Sequence, residues 1–442
     1  MNRKHALESI FRAGLSAVKT DQAIRNHVHA RENILTIMDT RFDLNTFKRI
    51  VIAGAGKGCA PMAAALQDLL GHRIDTGLIV VKYGHGLTLD RIEVIEAAHP
   101  VPDENSLLAG KRILQLAESL SEQDLFICLL TGGASSLLVS PQSGVSLSDL
   151  QTLNARLLSC GADIHEMNAL RKHVSCIKGG ALTRAASPAT VISLVVSDVV
   201  GDDLSTIASG PTTPDSSTYR DCADIIDKYN LGTSLPASVL KAINDGLNGH
   251  IPETPGGNDP AFSRTHNHII ANNEKAVHAA FLKATELGYH PHIFSTECTG
   301  ESREVGQKLI AFAVDVQKTG SPAKKPTCII AGGETTVSMT RSGKGGRNQE
   351  LALSMALALK SHTGIYALAA GTDGSDGPTD AAGAFVFPDT CERGRAAGLD
   401  LSTHLRTHDA YPAFKTLDDL FITGPTLTNV MDIVVILVTD SE

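Results

Sequence analysis

The sequence predicts an α/β protein with two domains. Short apolar runs are followed by glycine-rich turns and then by segments with helical spacing of apolar residues, and this order recurs along the chain. The length of 442 residues exceeds that of a typical single domain. Residues 248–264 are rich in proline and glycine and interrupt the alternation. We therefore expect one domain over residues 1–250 and a second over residues 251–442.

The overall composition is that of an ordinary globular protein. Hydrophobic residues make up 42% of the chain and charged residues 20%. The formal net charge of −9 argues against a nucleic-acid-binding surface. No apolar run approaches the roughly 20 residues that a membrane-spanning helix needs. The eight cysteines include no C-x-x-C pair and several lie in apolar runs, which indicates buried free thiols in a reducing compartment.

The N-terminal residues predict a helix and no targeting signal. The first five residues are basic in character, but no apolar stretch follows them. Apolar side chains instead recur at helical spacing from Leu7 to Val18, which predicts an amphipathic helix over residues 5–19. We expect a cytoplasmic protein.

The first glycine turn, residues 54–58, follows a short buried strand predicted over 49–53. It is no dinucleotide-binding motif, because the third glycine of G-x-G-x-x-G would fall at Cys59 and the next strand ends in Lys82 where an acid is expected. The spacing before Lys57 also excludes a Walker A loop. Two alternatives remain: a lysine whose charge is used beside a helix N-terminus, or a solvated lysine on a loop.

A second glycine turn, residues 131–136, follows a strongly apolar strand predicted over 125–130. Ser135 in this turn could be a nucleophile, but the G-x-S-x-G pattern is missing. Backbone N–H groups and hydroxyls that donate to a phosphate or substrate oxygen fit the turn better.

A mostly helical segment is predicted over residues 164–184. Arg171, Ser175 and Lys178 could share one face of it. Taken alone, the pattern is typical of a solvated basic face.

Two acidic positions are candidate metal ligands. Asp198 comes just after a strand predicted over 190–196, where α/β enzymes place metal or catalytic carboxylates. Asp373 shares a glycine-rich loop with Asp376 and Asp380, and three acids in such a loop suggest that it handles Mg²⁺.

The most charged motif begins at Gly332-Gly333-Glu334 after an apolar run. A β-rich segment, residues 336–340, leads to a second glycine-rich loop over 342–346, which ends at Arg347 as a helix begins. Glycines let backbone N–H groups approach an anion, and a helix N-terminus adds its positive dipole end. Arg347 adds a planar charge that fits phosphate or carboxylate oxygens. Together these features favour an anion site over two ordinary turns with a surface arginine.

These motifs closely resemble those of the class II glycerate 2-kinases, whose C-terminal region is called the MOFRL domain. Three positions depart from the family pattern, namely Gly58, Ala134 and Leu427, and they affect the shape of the pocket more than its chemistry. The matching motifs cover nearly the whole chain in order: Gly56-Lys57, His99-Pro100-Val101-Pro102-Asp103, Asn168 with Arg171-Lys172-His173, Ser197-Asp198-Val199, Ile207-Ala208-Ser209-Gly210-Pro211-Thr212, Gly332-Gly333-Glu334-Thr335-Thr336, Gly345-Gly346-Arg347-Asn348-Gln349-Glu350, Gly371-Thr372-Asp373-Gly374 and Gly424-Pro425-Thr426.

The resemblance implies ATP-dependent phosphorylation of D-glycerate to 2-phosphoglycerate with Mg²⁺. It also implies a Rossmann-like first domain, a second α/β domain and an active site in the cleft between them. The essential lysine and arginine of the family correspond to Lys57 and Arg347. Asp198 is the first candidate metal ligand, followed by Asp373 and Glu334. The expected substrate- or nucleotide-binding residues are Gly54, Gly56, Gly132, Gly133, Ser135, Ser136, Asn168, Arg171, Lys172, Glu334 and Asn348.

Some members of this family are labelled hydroxypyruvate reductases, so an NAD(P)H-dependent reductase is the alternative function. A reductase needs a dinucleotide-binding signature, which residues 54–59 lack. Phosphoryl transfer needs positioning and charge neutralisation, which glycine turns, a lysine and an arginine supply. The expected ligands are glycerate and ATP, with no nucleic acid or membrane partner. The sequence leaves open the oligomeric state and which loops bind ATP.

Overall fold

The structure is a computed structural model that describes residues 2–338, 343–360 and 362–440. The chain divides into two compact units: a first unit of residues 20–270, and a second unit of residues up to 19 together with those from 271 onward. The element bounds are as follows.

The α-helices, in chain order, are α1 (Arg3–Ala17), α2 (Thr20–His27), α3 (Cys59–Leu70), α4 (Glu104–Glu118), α5 (Ala134–Leu137), α6 (Leu147–Cys160), α7 (Ile164–His173), α8 (Ala181–Ala186), α9 (Tyr219–Lys228), α10 (Ala237–Leu247), α11 (Asn273–Glu286), α12 (Ser302–Thr319), α13 (Arg347–Leu359), α14 (Thr390–Ala396), α15 (Leu401–Arg406) and α16 (Ala410–Leu417). The strands are β1 (Val28–Arg31), β2 (Ile34–Ile37), β3 (Thr40–Asp43), β4 (Arg49–Ala55), β5 (Ile74–Lys82), β6 (Ile92–Ala97), β7 (Asp124–Leu130), β8 (Thr190–Val196), β9 (Thr265–Ala271), β10 (His290–Cys298), β11 (Thr327–Gly333), β12 (Ile365–Gly371), β13 (Gly383–Val386), β14 (Leu420–Phe421) and β15 (Asp432–Val438).

The large sheet of the first unit has the strand order β6-β5-β4-β7-β8-β9. Strands β4 to β8 pair in parallel, and β7 and β8 are buried at every position, as expected of strands covered on both faces. Counted along the chain, this order is 3-2-1-4-5-6, which is the Rossmann order, so the predicted Rossmann-like first domain is confirmed. The order reverses between β4 and β7, where such folds bind their ligands at the carboxyl ends of the strands.

The second unit contains a mixed sheet with the order β10-β11-β15-β12-β13-β14. β10 pairs with β11 in parallel, whereas β15 lies antiparallel to both β11 and β12. Alternate residues of β11, Ile329 and Ala331, belong to a core that α12 and α13 share. The predicted second α/β domain is therefore confirmed in its class.

The two units divide the chain differently from the boundary predicted at 250/251. The proline- and glycine-rich segment packs on the first unit, where the amide of Asp215 donates to the carbonyl of Pro255 at 2.9 Å. Helix α1 packs on the second unit, because the hydroxyl of Thr428 donates to the carbonyl of Val18 at 2.7 Å and a Cβ on Gly14 would lie 2.8 Å from the carbonyl of Ala276. The alternation of elements does not reveal such long-range packing.

Several predicted elements need correction in detail. The helix predicted over 164–184 is wrong in its middle: α7 ends at His173 and α8 begins at Ala181. Gly179 and Gly180, just before α8, adopt positive φ angles of 55° and 80°. Within the segment predicted to be β-rich, Thr336 forms only an isolated bridge with Glu301. Residues 339–342, which complete that segment and begin the following loop, lie outside the described residues.

Other sequence-based expectations hold. Strand β8 has the predicted bounds. The cysteines, all within the described residues, are free thiols. Over those same residues, we find no helix with the length and apolar character that crossing a bilayer requires.

Candidate active site

The turns that follow β4 and β7 are joined by hydrogen bonds from two backbone amides at the point where the strand order reverses. The amide of Lys57 donates to the carbonyl of Gly132 at 2.9 Å, and the amide of Gly58 donates to Oγ1 of Thr131 at 3.0 Å. Gly56 has a φ of +132°, and a Cβ at this position would lie 2.1 Å from Oγ1 of Thr131. Only glycine fits there, so the turn that presents Lys57 is fixed by its neighbour.

The side chains of Lys57 and His99 flank Gly133. This glycine has a φ of +86°, and a Cβ on it would lie 3.4 Å from Cγ of Lys57 and 2.9 Å from Cδ2 of His99. The structure thus brings together three motifs that lie far apart in the sequence. Gly54, by contrast, lies within β4, where a Cβ would meet the carbonyl of Leu129 at 2.6 Å, so this glycine permits close strand packing.

A hydrogen-bonded chain of polar side chains continues from the 131–136 turn. Oγ of Ser135 lies 2.8 Å from Oγ of Ser209, which in turn lies 3.0 Å from Oδ1 of Asn168. Ser209 has a positive φ of 60° although it is not a glycine, a strained conformation that is often found at functional sites. Nζ of Lys178 donates to the carbonyl of Ser135 at 2.6 Å. The neighbouring Ser136 donates to the carbonyl of Gly133.

A cavity of about 420 Å³ opens beside this chain within the first unit, and we call it the α6–α7 cavity. Ser135 and Ser136 line it together with Arg171, Ser175 and Lys178. The expectation that these basic residues form a solvated helix face is wrong, because Lys178 is 7% exposed and the helix ends before it.

Lys172 does not line the α6–α7 cavity and instead forms an ion pair with Asp215. Its ammonium pairs with Asp215 at 3.0 Å, and both side chains are buried. Asp215 also accepts hydrogen bonds from Ser217 and Thr254, so this pair is fully embedded in a polar network. The contact gives Lys172 a structural role, and its predicted role in binding a ligand stays a prediction.

The second unit holds Arg347 between two carboxylates. Nε and Nη2 donate to Oδ2 and Oδ1 of Asp432 at 2.6 and 2.9 Å, and Nη1 lies 2.6 Å from Oε1 of Glu334. Burial opposes the charged guanidinium, but the hydrogen bonds and charge of Asp432 outweigh it and raise the pKa of Arg347, with Glu334 adding to the effect. Asp432 was not predicted from the sequence.

The N-terminus of α13 is occupied by a carboxylate of the chain itself. Asp376 accepts hydrogen bonds from the amides of Asn348 and Gln349 at 3.0 and 2.8 Å. A Cβ on Gly346 would lie 2.3 Å from the Asp376 carboxylate, so the glycine loop serves this approach. Burial raises the pKa of Asp376 to about 6 in spite of these bonds. Two amides of this helix N-terminus are therefore engaged by Asp376, and the predicted anion site around Arg347 stays a prediction.

The acidic residues of the predicted metal-binding loop accept hydrogen bonds from different partners. In the 371–380 loop, Asp376 caps α13 and Asp380 accepts a hydrogen bond from the hydroxyl of Tyr411 at 2.8 Å. Asp373 accepts one from the amide of Ser375 at 3.0 Å. Asp198 follows the carboxyl end of β8 and is half-buried. In the part of the chain that the structure describes, no group of three or more His, Cys, Asp or Glu side chains is arranged to hold a metal ion.

The tertiary structure places Lys178, Ser209 and Asp432 in contacts that the sequence does not predict. The sequence pattern predicted Lys178 on a solvated helix face, but α7 ends at His173 and Lys178 is buried. Ser209 lies in a quoted motif, but its approach to Ser135 depends on the tertiary structure. Asp432 begins β15 and reaches Arg347 only because β15 pairs with β11 and β12.

A sheet in the Rossmann order, with glycine turns at the carboxyl ends of its parallel strands, places the chain among α/β proteins that bind ligands at those strand ends. Residues 6–244 match a family described as a domain of unknown function (DUF4147), and residues 327–432 match the MOFRL family. The chain belongs to the class II glycerate kinase family, as the sequence motifs predicted.

Relatives of this chain match it over almost its whole length. A protein of Thermotoga maritima named D-glycerate 2-kinase is 41% identical, covering 98% of this chain and 97% of that protein. A protein of Agrobacterium vitis that carries the provisional name hydroxypyruvate reductase is 42% identical, covering 99% and 95%. The crystal structure of a glycerate kinase from Thermotoga maritima superposes with a TM-score of 0.86 at 40% identity, covering 99% of each chain.

Proposed function

We propose that this protein is a D-glycerate 2-kinase that converts ATP and D-glycerate into ADP and 2-phosphoglycerate. The observation that carries the proposal is the match, along 98% of this chain, to a relative named for this activity. The Lys57 turn at the reversal point of a Rossmann-ordered sheet supports it, because phosphoryl transfer depends on positioned cations and backbone donors.

The reaction moves one phosphoryl group. The oxygen of the 2-hydroxyl attacks the γ-phosphorus, the bond from that phosphorus to the β–γ bridging oxygen breaks with its electron pair going to ADP, and the hydroxyl proton passes to water. Negative charge then spreads over the equatorial oxygens of the transferring group. We assign Lys57 and Arg347 to that charge. These two assignments and the binding roles of the other residues remain predictions.

All three guanidinium nitrogens of Arg347 already contact carboxylates. To bind a phosphoryl oxygen, the guanidinium must therefore release one of these carboxylate partners. Asp432 is nearly buried, with 7% of its side chain exposed, whereas 39% of the Glu334 side chain is exposed. Glu334 is therefore the partner that a phosphoryl oxygen can replace at lower cost. Asp432 would keep the guanidinium oriented during the exchange, which makes Asp432 a positioning residue.

Mg²⁺ is proposed as the companion of ATP. One or two carboxylates, with waters and phosphate oxygens, are the usual protein ligands of this ion, so a preformed cluster of acids is not required. Asp198 at the end of β8 and Asp373 in its glycine loop fit that donor set. The ion would neutralise phosphate charge beyond what one lysine and one arginine can offset.

The test is a product assay with purified protein. With ATP, Mg²⁺ and D-glycerate, we expect ADP to form and phosphorus NMR to identify 2-phosphoglycerate. L-Glycerate and omission of the acceptor are the controls. The second candidate function, suggested by the name of the Agrobacterium vitis relative, would show as NADH or NADPH oxidation with hydroxypyruvate. That oxidation without any glycerate-dependent ADP would overturn the kinase proposal.

A further inference from the structure

Two cations line the α6–α7 cavity: Lys178, which is buried, and Arg171, which is half-buried. Nζ of Lys178 contacts the carbonyl and hydroxyl oxygens of Ser135, at 2.6 and 3.3 Å. Nε of Arg171 donates to Oδ1 of Asn154 at 2.7 Å. Among the described residues that line the cavity, none is an Asp or a Glu, and neither cation forms an ion pair with any described carboxylate.

This arrangement is unfavourable unless an anion completes it. A desolvated charge is costly without an opposite charge nearby, and two like charges around one cavity add to that cost. Burial, reinforced by the positive charge of Arg171, lowers the pKa of Lys178 to about 7. An anion near both groups would restore the charged form and stabilise the pair.

Part of the remaining cavity wall is apolar, beside polar residues such as Gln151 and Asn154. Its volume of about 420 Å³ is within the range of roughly 300–1,000 Å³ that is common for small-ligand sites. Val101 and Leu158, with 58% and 69% of their surface exposed, are the more solvent-accessible lining residues. The apolar wall includes Val139, Leu150, Leu153, Ala155, Leu158 and Val174.

A cavity that combines cations with apolar side chains fits one of the two substrates of the proposed reaction better than the other. Glycerate is a three-carbon acid with two hydroxyls, and it offers an apolar wall almost nothing to bury. A nucleotide has a flat base that packs on aliphatic side chains and a phosphate chain that needs cations. We propose that the α6–α7 cavity binds the nucleotide, with its base against the apolar wall and its phosphate oxygens beside Lys178 and Arg171.

The 131–136 turn connects Lys178 to Lys57 and so indicates which way the phosphate chain would extend. Ser135 contacts Lys178 and is two residues from Gly133, which Lys57 flanks. Phosphates that begin at Lys178 would therefore extend toward Lys57, the proposed catalytic lysine. This inference rests on the proposed function for the identity of the nucleotide as ATP, but the charge and shape of the cavity are independent of it.

The experiment fills the cavity from α6. Ala155→Trp places a large side chain at an exposed position that lines the cavity, and Ser159→Trp places the same side chain at an exposed position of the same helix that does not line it. Binding of ATP and of ADP is measured by calorimetry, and KM for each substrate by ADP formation. Circular dichroism and thermal melts verify that both variants are folded.

We expect Ala155→Trp to weaken nucleotide binding at least tenfold, with the KM for glycerate changed less than twofold and Ser159→Trp like the parent. Lys178→Met and Arg171→Met should weaken binding of ATP more than binding of adenosine, whereas Arg156→Met, at an exposed cation of α6, should not. Unchanged nucleotide affinity in Ala155→Trp, or a rise confined to the KM for glycerate, overturns the inference.

The binding measurement separates this inference from the proposed function. A parent protein that binds ATP but forms no ADP with glycerate would refute the kinase proposal, and the variants would still decide whether the cavity holds the nucleotide. A parent protein that is an active kinase, with Ala155→Trp binding ATP normally, would refute the cavity assignment alone. A parent protein that binds neither ATP nor ADP would refute both.

Discussion

Arg347 and Asp432 form a bidentate ion pair in which Nε and Nη2 of the arginine meet the two carboxylate oxygens at 2.6 and 2.9 Å. The parallel geometry of the pair fixes both the position and the plane of the guanidinium. The remaining nitrogen, Nη1, faces Glu334, the more exposed of its two partners. Arg347 is therefore a preoriented cation, and its orientation comes from a strand 85 residues further along the chain.

Asp432→Asn should lower both stability and kcat. The amide keeps the size of the side chain but removes the charge, so a largely buried guanidinium loses its main partner. We expect a loss of roughly 2–4 kcal/mol in the free energy of unfolding, measured by urea denaturation. Asp389→Asn, which removes an exposed partner of Arg393, is the control and should cost less than about 1 kcal/mol. Equal losses in the two variants would contradict the assigned importance of Asp432.

Arg347→Ala should fold and be nearly inactive. Removing an arginine that stabilises phosphoryl-transfer charge costs about 10³ to 10⁵ in kcat in comparable sites. Arg347→Lys should recover little activity, because lysine offers a point charge where Asp432 and the phosphoryl group use a planar fork. Steady-state kinetics decide the role: a normal kcat with only a higher KM would mean uniform substrate binding and no catalytic contribution.

Lys57→Ala should also lose kcat while keeping its fold. The turn is fixed by backbone bonds and by Gly56, so the truncation removes charge without altering the loop. Lys57→Arg tests whether charge alone suffices at this position. Lys48→Ala, at an exposed lysine just before β4, is the matched control and should behave like the parent. A Lys57→Ala enzyme with near-parental kcat would remove this residue from the mechanism.

The sequence predicted the class of each unit better than the contacts within the sites. Apolar runs such as 125–130 and 190–196 identify buried strands because a strand covered on both faces has no polar alternation. The pairing of Arg347 with Asp432 could not be predicted, since it depends on β15 lying between β11 and β12. The sequence predicted that the loop containing Asp376 handles Mg²⁺, because it combines three acids with several glycines. Only the fold shows that the Asp376 carboxylate caps α13.

Chelation of Mg²⁺ should abolish ADP formation, and added Mg²⁺ should restore it. ATP carries several negative charges that Lys57 and Arg347 alone do not neutralise. Asp198→Asn and Asp373→Asn should raise the Mg²⁺ concentration needed for half-maximal activity, whereas Asp90→Asn, at an exposed position, should not. Full activity in excess chelator would exclude the metal, and parental Mg²⁺ dependence in both variants would exclude these two ligands.

Lys178→Met should change the pH dependence of stability in the ligand-free protein. The pKa of Lys178 is lowered from 10.5 to about 7 in the folded state, so between these values the unfolded chain binds a proton that the folded chain does not. Stability from this group therefore rises with pH across that window, and the full penalty applies below pH 7.

The methionine variant escapes the penalty. Its stability relative to the parent should thus be higher at pH 6 than at pH 9, by on the order of 2 kcal/mol, and denaturant unfolding at both values measures this difference. Lys111→Met, at an exposed position of α4, should show no such change. An equal difference at both pH values would mean that Lys178 is not the desolvated cation the cavity requires.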